Sequence, residues 1–246
     1  MKINDVAIVI LSCDKFKVTW EPCIDHFFNA WPDCQYPVYL LNNYVSSEDN
    51  RVNDLLVGED NNWSDTLKKG LLKIQQQRIF FIYDDSFITK FYLEDIKLIF
   101  NIAIQNDLPS VALRKRKYDK GEQFNEKLYK LGQTTKYRNS LYLNLFKKDL
   151  LLSLLKSGEN AWQFEKDGNN RSKIFDFYSV YETELASAYH GIVKGKWLPE
   201  TYHYLKENGY ALHDNTFEVY NKFQVFNFQI YTKIFDLFHR FSHLFK

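Results

Sequence analysis

The sequence predicts an α/β protein with a mostly parallel central sheet flanked by helices, followed by an amphipathic helical tail. Two observations carry this prediction: short apolar runs rich in β-branched residues, and helical spacing in the segments between them. A chain of 246 residues, 45% of them hydrophobic, is long enough for one such domain. The alternation of strands and helices implies right-handed crossovers between parallel strands.

The first half of the chain contains the clearest elements. Strands are predicted at three apolar runs, which are Val6–Leu11, Tyr36–Leu41 and Ile79–Tyr83. A strand that is apolar at every position is typical of a sheet covered on both faces. Helices are predicted over Trp20–Trp31, over Trp63 to about Gln77 with Ser64 as N-cap, and over Leu93–Gln105.

The second half is less regular. It predicts a short strand at Val111–Leu113, a strand over Ser140–Phe146, a helix over Lys148–Ser157 and a polar loop over Lys166–Arg171. Because no linker interrupts the chain, we expect one domain over residues 1–215. Its nucleotide-binding half covers about 1–112 and its acceptor half covers 113–215.

Composition excludes several classes of protein. The net charge of +1 gives little support to nucleic-acid binding, so no nucleic-acid partner is expected. Cys13, Cys23 and Cys34 form no CxxC pair and have no His cluster nearby, which favours reduced thiols over a zinc site. No apolar stretch of about 18 residues occurs. We therefore expect a cytoplasmic protein.

Residues 216–246 form a distinct tail with two faces. Apolar side chains recur at helical spacing at Tyr231, Ile234, Phe235, Phe238, Phe241 and Phe245. Charged and polar side chains fall on the other face at Lys233, Asp236, His239, Arg240, His243 and Lys246. Such a helix can lie on an anionic membrane surface, or it can pack on its own domain or on a second copy of the chain.

Polar residues follow the predicted strands at the points where the strands end. These clusters are Ser12–Asp14, Asn42–Asn43, Asp60–Asp65 and Asp84–Asp85. Ligands of parallel α/β sheets bind outside the carboxyl ends of the strands, so we expect the clusters to line one crevice. Two adjacent carboxylates there can hold Mg²⁺ or Mn²⁺ together with substrate phosphates. The alternative is a pair of solvated loop acids.

Glycine-rich phosphate loops are absent from the sequence. It has no GxxxxGK[ST] motif and no GxGxxG after the first strand, which argues against a P-loop NTPase and a dinucleotide-binding enzyme. A bound nucleotide is therefore expected to be held by side chains and a metal ion.

Four segments together resemble bacterial glycosyltransferases of capsule and O-antigen clusters. They are Ile10–Asn43, Gly58–Leu71, Phe80–Ile88 and Glu159–Glu165, and the resemblance spans roughly residues 5 to 200. It implies a GT-A fold, with a nucleotide-sugar in the N-terminal half and Mn²⁺ or Mg²⁺ held on its diphosphate by an acidic DxD motif. This chain has Asp-Asp-Ser instead. Asp85 is the favoured metal ligand, with Asp84 closer to the ribose or the sugar.

The resemblance also implies donor contacts at the other strand ends. Around the base and ribose it places Ser12, Asp14 and either Asn42 or Asn43. Asp65 would meet the base and Lys68 the diphosphate. In the alternative interpretation, Asp65 only favours its helix N-terminus and Lys68 is a solvated surface residue.

Glycosyl transfer needs a base for the acceptor hydroxyl, and Glu165 is the candidate, with Glu159 second. Trp162 would form an apolar wall for a sugar ring. Alternatively, Trp162 and Phe164 are both core residues at the edge of a helix. A base opposite the leaving group implies inversion of the anomeric carbon, although a retaining mechanism stays open.

Two further features stay weaker candidates. His190 is a possible metal ligand and Lys196 a possible phosphate ligand, because some GT-A enzymes take a C-terminal His. The basic stretch Arg114–Lys117 is either a solvated run or a contact for phosphates of a lipid-linked acceptor.

Three functions follow as hypotheses. The first is a metal-assisted glycosyltransferase that moves a sugar from a nucleotide-sugar, expected to be a UDP-sugar, to a lipid-linked glycan at the cytoplasmic membrane. The second is a nucleotidyltransferase, which also uses carboxylate-held Mg²⁺. The third is a non-catalytic binding or scaffold protein of the same fold.

Overall fold

The computed structural model describes residues 5–116, 119, 121–182, 184–212, 216–227, 230 and 234. The strands are β1 (Val6–Leu11), β2 (Val38–Asn42), β3 (Asn53–Leu56), β4 (Arg78–Tyr83), β5 (Ser86–Phe91), β6 (Ser110–Ala112), β7 (Glu122–Gln123), β8 (Leu128–Lys130), β9 (Asn144–Lys147), β10 (Tyr178–Val180), β11 (Ala186–His190), β12 (Ile192–Val193) and β13 (Lys196–Trp197). The helices are α1 (Lys17–Ala30), α2 (Trp63–Lys73), α3 (Leu93–Gln105), α4 (Lys148–Leu154), α5 (Ala161–Ser172) and α6 (Pro199–Glu207).

A nine-stranded sheet forms the centre of the described part of the protein, in the order β3-β2-β1-β4-β9-β6-β10-β8-β7. Strands β1 to β4 run parallel where they pair, and β9 joins β4 and β6 in antiparallel fashion. In this sheet β8 and β9 run opposite to the other strands. The predicted α/β fold with a mostly parallel central sheet is confirmed.

The two faces of the sheet are covered by different helices. Every residue of β1 is buried, and alternate residues point to opposite faces. Ile8 and Ile10 pack in one core cluster together with residues of α1 and α3. Ala7 and Val9 pack in the other, with residues of α2, α4 and α5. A fully buried side chain of this size contributes about 1.5–3 kcal/mol, so continuous burial explains the run of apolar residues.

A small second sheet begins where β4 ends. After Tyr83 the chain turns through Asp84 and Asp85 into β5, which leaves the central sheet and pairs with β11 in antiparallel fashion. The register places His190 opposite Ser86. The hairpin of β12 and β13 follows directly, and this pairing brings Gly191 and Ile192 against Asp85.

Three predicted local features are wrong. Asn62, not Ser64, caps α2, because the Asn62 side chain accepts a hydrogen bond from the Asp65 amide at 3.0 Å. The segment 166–171 is helical, because Asn160 and Gln163 form a capping box that starts α5 and one helix face is buried. The strand over Ser140–Phe146 begins only at Asn144.

The first residues of the predicted tail belong to the folded domain. Phe217 is buried and packs on Phe16 with ring centroids 4.8 Å apart. The Trp197 amide donates to the carbonyl of Glu218 at 2.9 Å. Phe217 and Glu218, which the prediction assigns to the tail, therefore contact the folded domain.

Most of the predicted tail helix lies outside the described residues. Residues 222–227 are helical, and Phe223 and Phe226 are exposed there. Of the predicted two-faced residues, only Ile234 is described, and it is exposed. Within the described helices, none is long and apolar enough to cross a membrane.

Candidate active site

The carboxyl ends of β1, β2 and β4 bring three of the predicted polar clusters to one edge of the sheet. Because β1 lies between β2 and β4, Ser12 and Asp14 stand between Asn43 and the two aspartates. The amide of Asp84 donates to the carbonyl of Leu11 at 3.3 Å, which ties the end of β4 to the end of β1.

Asp84 is buried and held by a chain of hydrogen bonds. Ser12 Oγ donates to its Oδ2, and Trp20 Nε1 donates to Ser12 Oγ at 2.6 Å. Burial and the neighbouring charge of Asp85 raise the pKa of Asp84 well above its ordinary value. An ionised Asp84 is therefore favoured by a nearby cation.

Asp85 is more exposed than Asp84 and lies against the turn after β11. Its Oδ2 accepts from the Ile192 amide at 3.4 Å, and its carbonyl accepts from the Gly191 amide at 2.7 Å. Burial raises the pKa of Asp85 to about 6. Only part of its oxygen capacity is used, so Asp85 can still bind a ligand in the cleft.

Ser86 does not share the chemistry of the two acids. Its fully buried hydroxyl donates to Tyr142 Oη at 2.9 Å and lies 3.1 Å from His190 Nδ1. The residue that replaces the second acid of a DxD motif thus fixes Tyr142 and His190. Burial and repulsion from Arg114 lower the pKa of His190.

The donor set at the aspartates fits a hard divalent cation. Carboxylate oxygens suit Mg²⁺ or Mn²⁺, and a cation would offset the burial and the Asp84–Asp85 repulsion that raise the pKa values of these acids. In the described part of the chain no three His, Cys, Asp or Glu side chains are grouped to hold a metal, so His190 does not complete a cluster. The remaining ligands would have to be substrate phosphates and water.

Asp14 and the asparagines after β2 mainly shape the edge itself. The Asp14 carboxylate accepts from the amides of Asn43 at 2.9 Å and Tyr44 at 3.0 Å. Asn42 is fully buried, and its Nδ2 donates to the Val45 carbonyl and the Asp54 carboxylate while its Oδ1 has no partner. Asn43 donates to the Gly58 carbonyl at 3.1 Å.

The start of α2 holds Asp65 in a different environment from the one expected. Hydrogen bonds from Asn62 Nδ2 at 2.6 Å and Ser157 Oγ at 2.8 Å reach the Asp65 carboxylate and lower its pKa. These contacts give Asp65 the role of joining α2 to the loop before α5. Lys68 is exposed one turn later on the same helix.

Glu165 lies in the middle of α5 and faces the sheet edge. Burial raises its pKa, while a hydrogen bond with Ser140 and the charges of Arg116 and Arg114 oppose that rise. Burial, followed by the charges of Glu165 and Asp85, raises the pKa of Tyr83, the last residue of β4. Tyr83 therefore lies within electrostatic reach of both carboxylates.

A groove of about 740 Å³ runs along α5. One wall is a single helix face, because its residues follow helical spacing. The lining includes Trp162, Glu165, Lys166, Asn169, Asn170 and Lys173 from the helix, with Gln133, Thr134, Lys136 and Tyr137 opposite. Trp162 is 73% exposed whereas Phe164 is fully buried, so only the phenylalanine belongs to the core.

Two predicted site residues have structural partners instead. Both carboxylate oxygens of Glu159 accept from Arg171, at 2.8 and 2.6 Å, so Glu159 is unsuited to act as a base. Lys196 pairs with Glu218 at 2.6 Å on the far end of the β12–β13 hairpin. That ion pair leaves no reason to assign Lys196 to a phosphate.

Sequence reasoning missed Trp20, Tyr142 and Tyr83 as parts of the cleft. Trp20 follows Ser12 by eight residues and carried only a core pattern. Tyr142 contacts Tyr83 with ring centroids 5.4 Å apart and His190 at 5.5 Å. No local signal marks the contacts of Tyr142, because they depend on the antiparallel insertion of the chain at β9.

Comparison with known proteins shows the fold. No protein-family model and no curated protein matches the chain. The crystal structure of S. aureus TarS 1-349 matches with a TM-score of 0.52 and 10% identity, over 74% of this chain and 59% of that one. The same TarS fragment in complex with UDP-GlcNAc matches with a TM-score of 0.50 and 13% identity, over 78% and 60%.

A UDP-glucose pyrophosphorylase complexed with UDP-glucose matches with a TM-score of 0.50 and 9% identity, over 74% of this chain and 92% of that one. This chain thus spans only about three fifths of the TarS fragment, whereas it matches nearly the whole pyrophosphorylase. At these identities the comparisons support one conclusion, that the chain has the predicted GT-A-like α/β fold.

Proposed function

We propose that this protein is a glycosyltransferase that takes a sugar from a nucleoside diphosphate donor, a UDP-sugar, and transfers it to a hydroxyl of a glycan. One observation carries the proposal. Tyr83, the last residue before Asp84 and Asp85, has a pKa that responds to the charges of both Asp85 and Glu165, and Glu165 also lines a groove with an exposed tryptophan.

The donor is assigned to the edge formed by β1, β2 and β4. Two similar structures hold UDP-GlcNAc and UDP-glucose, which supports a nucleotide-sugar on this fold. Asp85, with Asp84 behind it, would hold Mg²⁺ or Mn²⁺, and the bound ion would stabilise the departing diphosphate as a Lewis acid. Ser12 donates to Asp84, and Asn43 lies beyond Asp14 along the same edge.

The acceptor is assigned to the groove along α5. Trp162 offers an exposed aromatic face, and amide side chains such as Asn169 and Asn170 offer paired donors and acceptors, a combination that suits sugar rings. The acceptor hydroxyl attacks the anomeric carbon as its proton passes to the Glu165 carboxylate. A carbon–oxygen bond forms, and the bond to the diphosphate breaks with its electron pair, which inverts the anomeric centre.

We further propose that the acceptor is a lipid-linked glycan used in bacterial surface polysaccharide synthesis, with the tail resting on the cytoplasmic membrane. The alternating apolar and basic pattern of residues 231–246 supports this interpretation. It also makes the protein a cytoplasmic enzyme bound to the inner membrane surface.

A nucleotidyltransferase is the second candidate, because the UDP-glucose pyrophosphorylase matches over 92% of its own length. The connection from β1 to α1 lacks the glycine- and lysine-rich loop expected for a triphosphate, since the first glycine of the chain is Gly58.

Product analysis separates the two candidates. The protein is incubated with MnCl₂ and either a set of UDP-sugars or UTP with sugar 1-phosphates. Slow release of UDP from one UDP-sugar supports the glycosyltransferase, whereas pyrophosphate released from UTP supports the nucleotidyltransferase. Neither product, together with no nucleotide-induced shift in melting temperature, favours a binding or scaffold protein.

A further inference from the structure

Arg116 is a buried cation with two guanidinium nitrogens that lack hydrogen-bond partners. It lies just after β6 and is 7% exposed. Its backbone amide donates to Tyr129 Oη at 3.1 Å, but Nε and Nη2 of its guanidinium have no partner. Leaving buried donors of a charged group unsatisfied costs several kcal/mol, and an absent ion or ligand is one established explanation for such a group.

The guanidinium groups of two other buried arginines of the described chain have more hydrogen-bond partners within the protein. Arg138 donates to the carbonyls of Gln133 and Phe175 and lies 4.7 Å over the ring of Phe177. Arg78 donates to the Leu108 carbonyl and pairs with Asp107. Arg116 differs from Arg138 in degree, because both its Nε and its Nη2 lack a partner whereas only Nε of Arg138 does.

The charges around Arg116 leave room for an anion. Arg114 is the nearest cation, and its guanidinium lies 5.7 Å from the Tyr142 ring centre. Burial and repulsion from Arg114 lower the pKa of Arg116 to about 10, so it is still a cation at neutral pH. The charge of Glu165 acts to raise the pKa of Arg116, and Glu165 is hydrogen-bonded to Ser140. Glu184 faces Arg114 from the other side.

The position of Arg116 separates it from the two aspartates. In the sheet order β6 is two strands away from β4, with β9 between them. Neighbouring strands lie about 4.8 Å apart, so the ends of β4 and β6 are about 10 Å apart on the same edge. An anion bound at the end of β6 would therefore lie two strands along the edge from a diphosphate at Asp85.

We propose that Arg116, assisted by Arg114, is a binding site for a phosphate group carried by the acceptor. The planar guanidinium offers paired N–H donors that match phosphate oxygens. The assignment of this phosphate to an acceptor rests on the proposed function, because that assignment uses Glu165 as the base for a hydroxyl near the phosphate. The binding of phosphate at Arg116 does not rest on the proposed function.

The test is calorimetric titration of the full chain with inorganic phosphate. We expect millimolar binding to the wild type and a loss of tenfold or more in Arg116→Gln. Binding by Lys115→Gln should be unchanged, because Lys115 is exposed and only its backbone is bonded. Arg116→Lys keeps the positive charge but loses the paired N–H donors of the guanidinium, so it is expected to bind phosphate with intermediate affinity. A thermal melt verifies that each variant is folded.

The same titration distinguishes the two sources of phosphate. If phosphate binds equally to the UDP–Mn²⁺-loaded and the free protein, the site is separate from the donor, as proposed. If UDP with Mn²⁺ displaces phosphate, or if folded Arg116→Gln binds phosphate as the wild type does, the proposal is overturned. UDP binding is measured in the same samples, so failure of the phosphate site is told apart from failure of the proposed function.

Discussion

The two aspartates at the end of β4 are each held by a different part of the protein. Ser12 binds Asp84 from the side of β1, and the amide of Ile192 reaches Asp85 from the hairpin after β11. Their raised pKa values mean that the folded protein bears an unfavourable charge when both are ionised. A pair of carboxylates that is destabilised without a cation and stabilised by one is suited to bind a metal ion together with a diphosphate.

Replacing Asp85 by Asn is expected to stabilise the metal-free protein at pH 7.5. The pKa of Asp85 in the folded state is about 6, above its ordinary value, so its ionisation opposes folding above that pH. The gain is expected to be about 1–2 kcal/mol, less than the whole pKa difference implies, because Asp85 is partly exposed.

Urea unfolding at pH 7.5 and pH 5 measures this effect. As the pH falls through 6 the wild type should gain stability and Asp85→Asn should gain less, so the two converge. Asp33→Asn, which removes an exposed carboxylate, is the control. An Asp85→Asn variant that is less stable than the wild type at pH 7.5 would refute the charge argument.

Glu165 lies on α5 and Glu159 lies just before it. Their replacement by Gln is expected to affect different properties, transfer activity for Glu165 and stability for Glu159. Glu165→Gln should keep donor binding and reduce transfer by about 10²–10⁴-fold, because the hydroxyl loses its base. Glu159→Gln breaks the pair with Arg171, so it should lower stability by about 1–3 kcal/mol. Initial rates and melting curves are measured for both, and wild-type rates in Glu165→Gln would remove it as the base.

At the scale of elements, the turn from β4 into β5 determines where the acids lie. Because β5 leaves the central sheet to pair with β11, the turn at Gly191 packs against Asp85. A Cβ on Gly191 would lie 2.7 Å from the Phe87 ring and 2.9 Å from Trp197. The glycine is therefore required for the close approach of the hairpin to the acidic turn.

Gly191→Ala is expected to cost about 1–3 kcal/mol of stability through overpacking and to weaken Mn²⁺-dependent nucleotide binding, since the amides that hold Asp85 must shift. Gly195→Ala is the matched control in the same hairpin, because nothing lies within 4 Å of its Cβ and its positive φ adds only backbone strain. The two variants are compared by melting temperature and by UDP titration. Equal nucleotide binding by Gly191→Ala and the wild type would contradict the role given to this turn.

Helix α5 shows why some elements could not be predicted from sequence. Gly168 and the asparagines after it have low helix propensity and read as a loop. In the structure Phe164, Gly168 and Ser172 form its buried face, and a Cβ on Gly168 would lie 2.6 Å from Asn139. Tertiary packing thus overrides local propensity.

At the scale of the whole molecule, continuous apolar runs made the sheet predictable. The prediction for β1 and that for α3 agree with the structure residue for residue, and β4 begins one residue earlier. The strands β3 and β5 were missed, because "NDLL" and "SFITKF" are short and mixed in polarity. The antiparallel insertion of β9 and the pairing of β5 with β11 are long-range features without a local pattern.

The candidate site was predictable to a similar degree. Asp84, Asp85 and Ser12 lie at one sheet edge. Their positions in the sequence, directly after β4 and β1, predicted this arrangement. Glu159 and Lys196 have structural ion pairs that sequence cannot show. Arg116 belongs to the basic stretch Arg114–Lys117, for which one prediction was a solvated surface. In the structure Arg116 is buried, after strand β6, which pairs with β10.

Membrane association is expected to depend on residues after 227. A chain truncated at residue 227 keeps Phe217 and its contact with Phe16, so it should fold as the full chain does. The full chain should sediment with phosphatidylglycerol-containing vesicles at low salt and the truncated chain should not. A full chain that stays in the supernatant, or that is dimeric where the truncated chain is monomeric, would favour packing between copies instead.

The central claim is that Asp84 and Asp85 form a metal-dependent site for a nucleoside diphosphate. Calorimetric titration of UDP into the wild type and Asp85→Asn, each with and without MnCl₂, tests it most directly. We predict binding by the wild type only with Mn²⁺ and a loss of at least about 100-fold in Asp85→Asn, which corresponds to about 2.7 kcal/mol. UDP binding that is equal with and without Mn²⁺, or equal in the two proteins, would contradict the account.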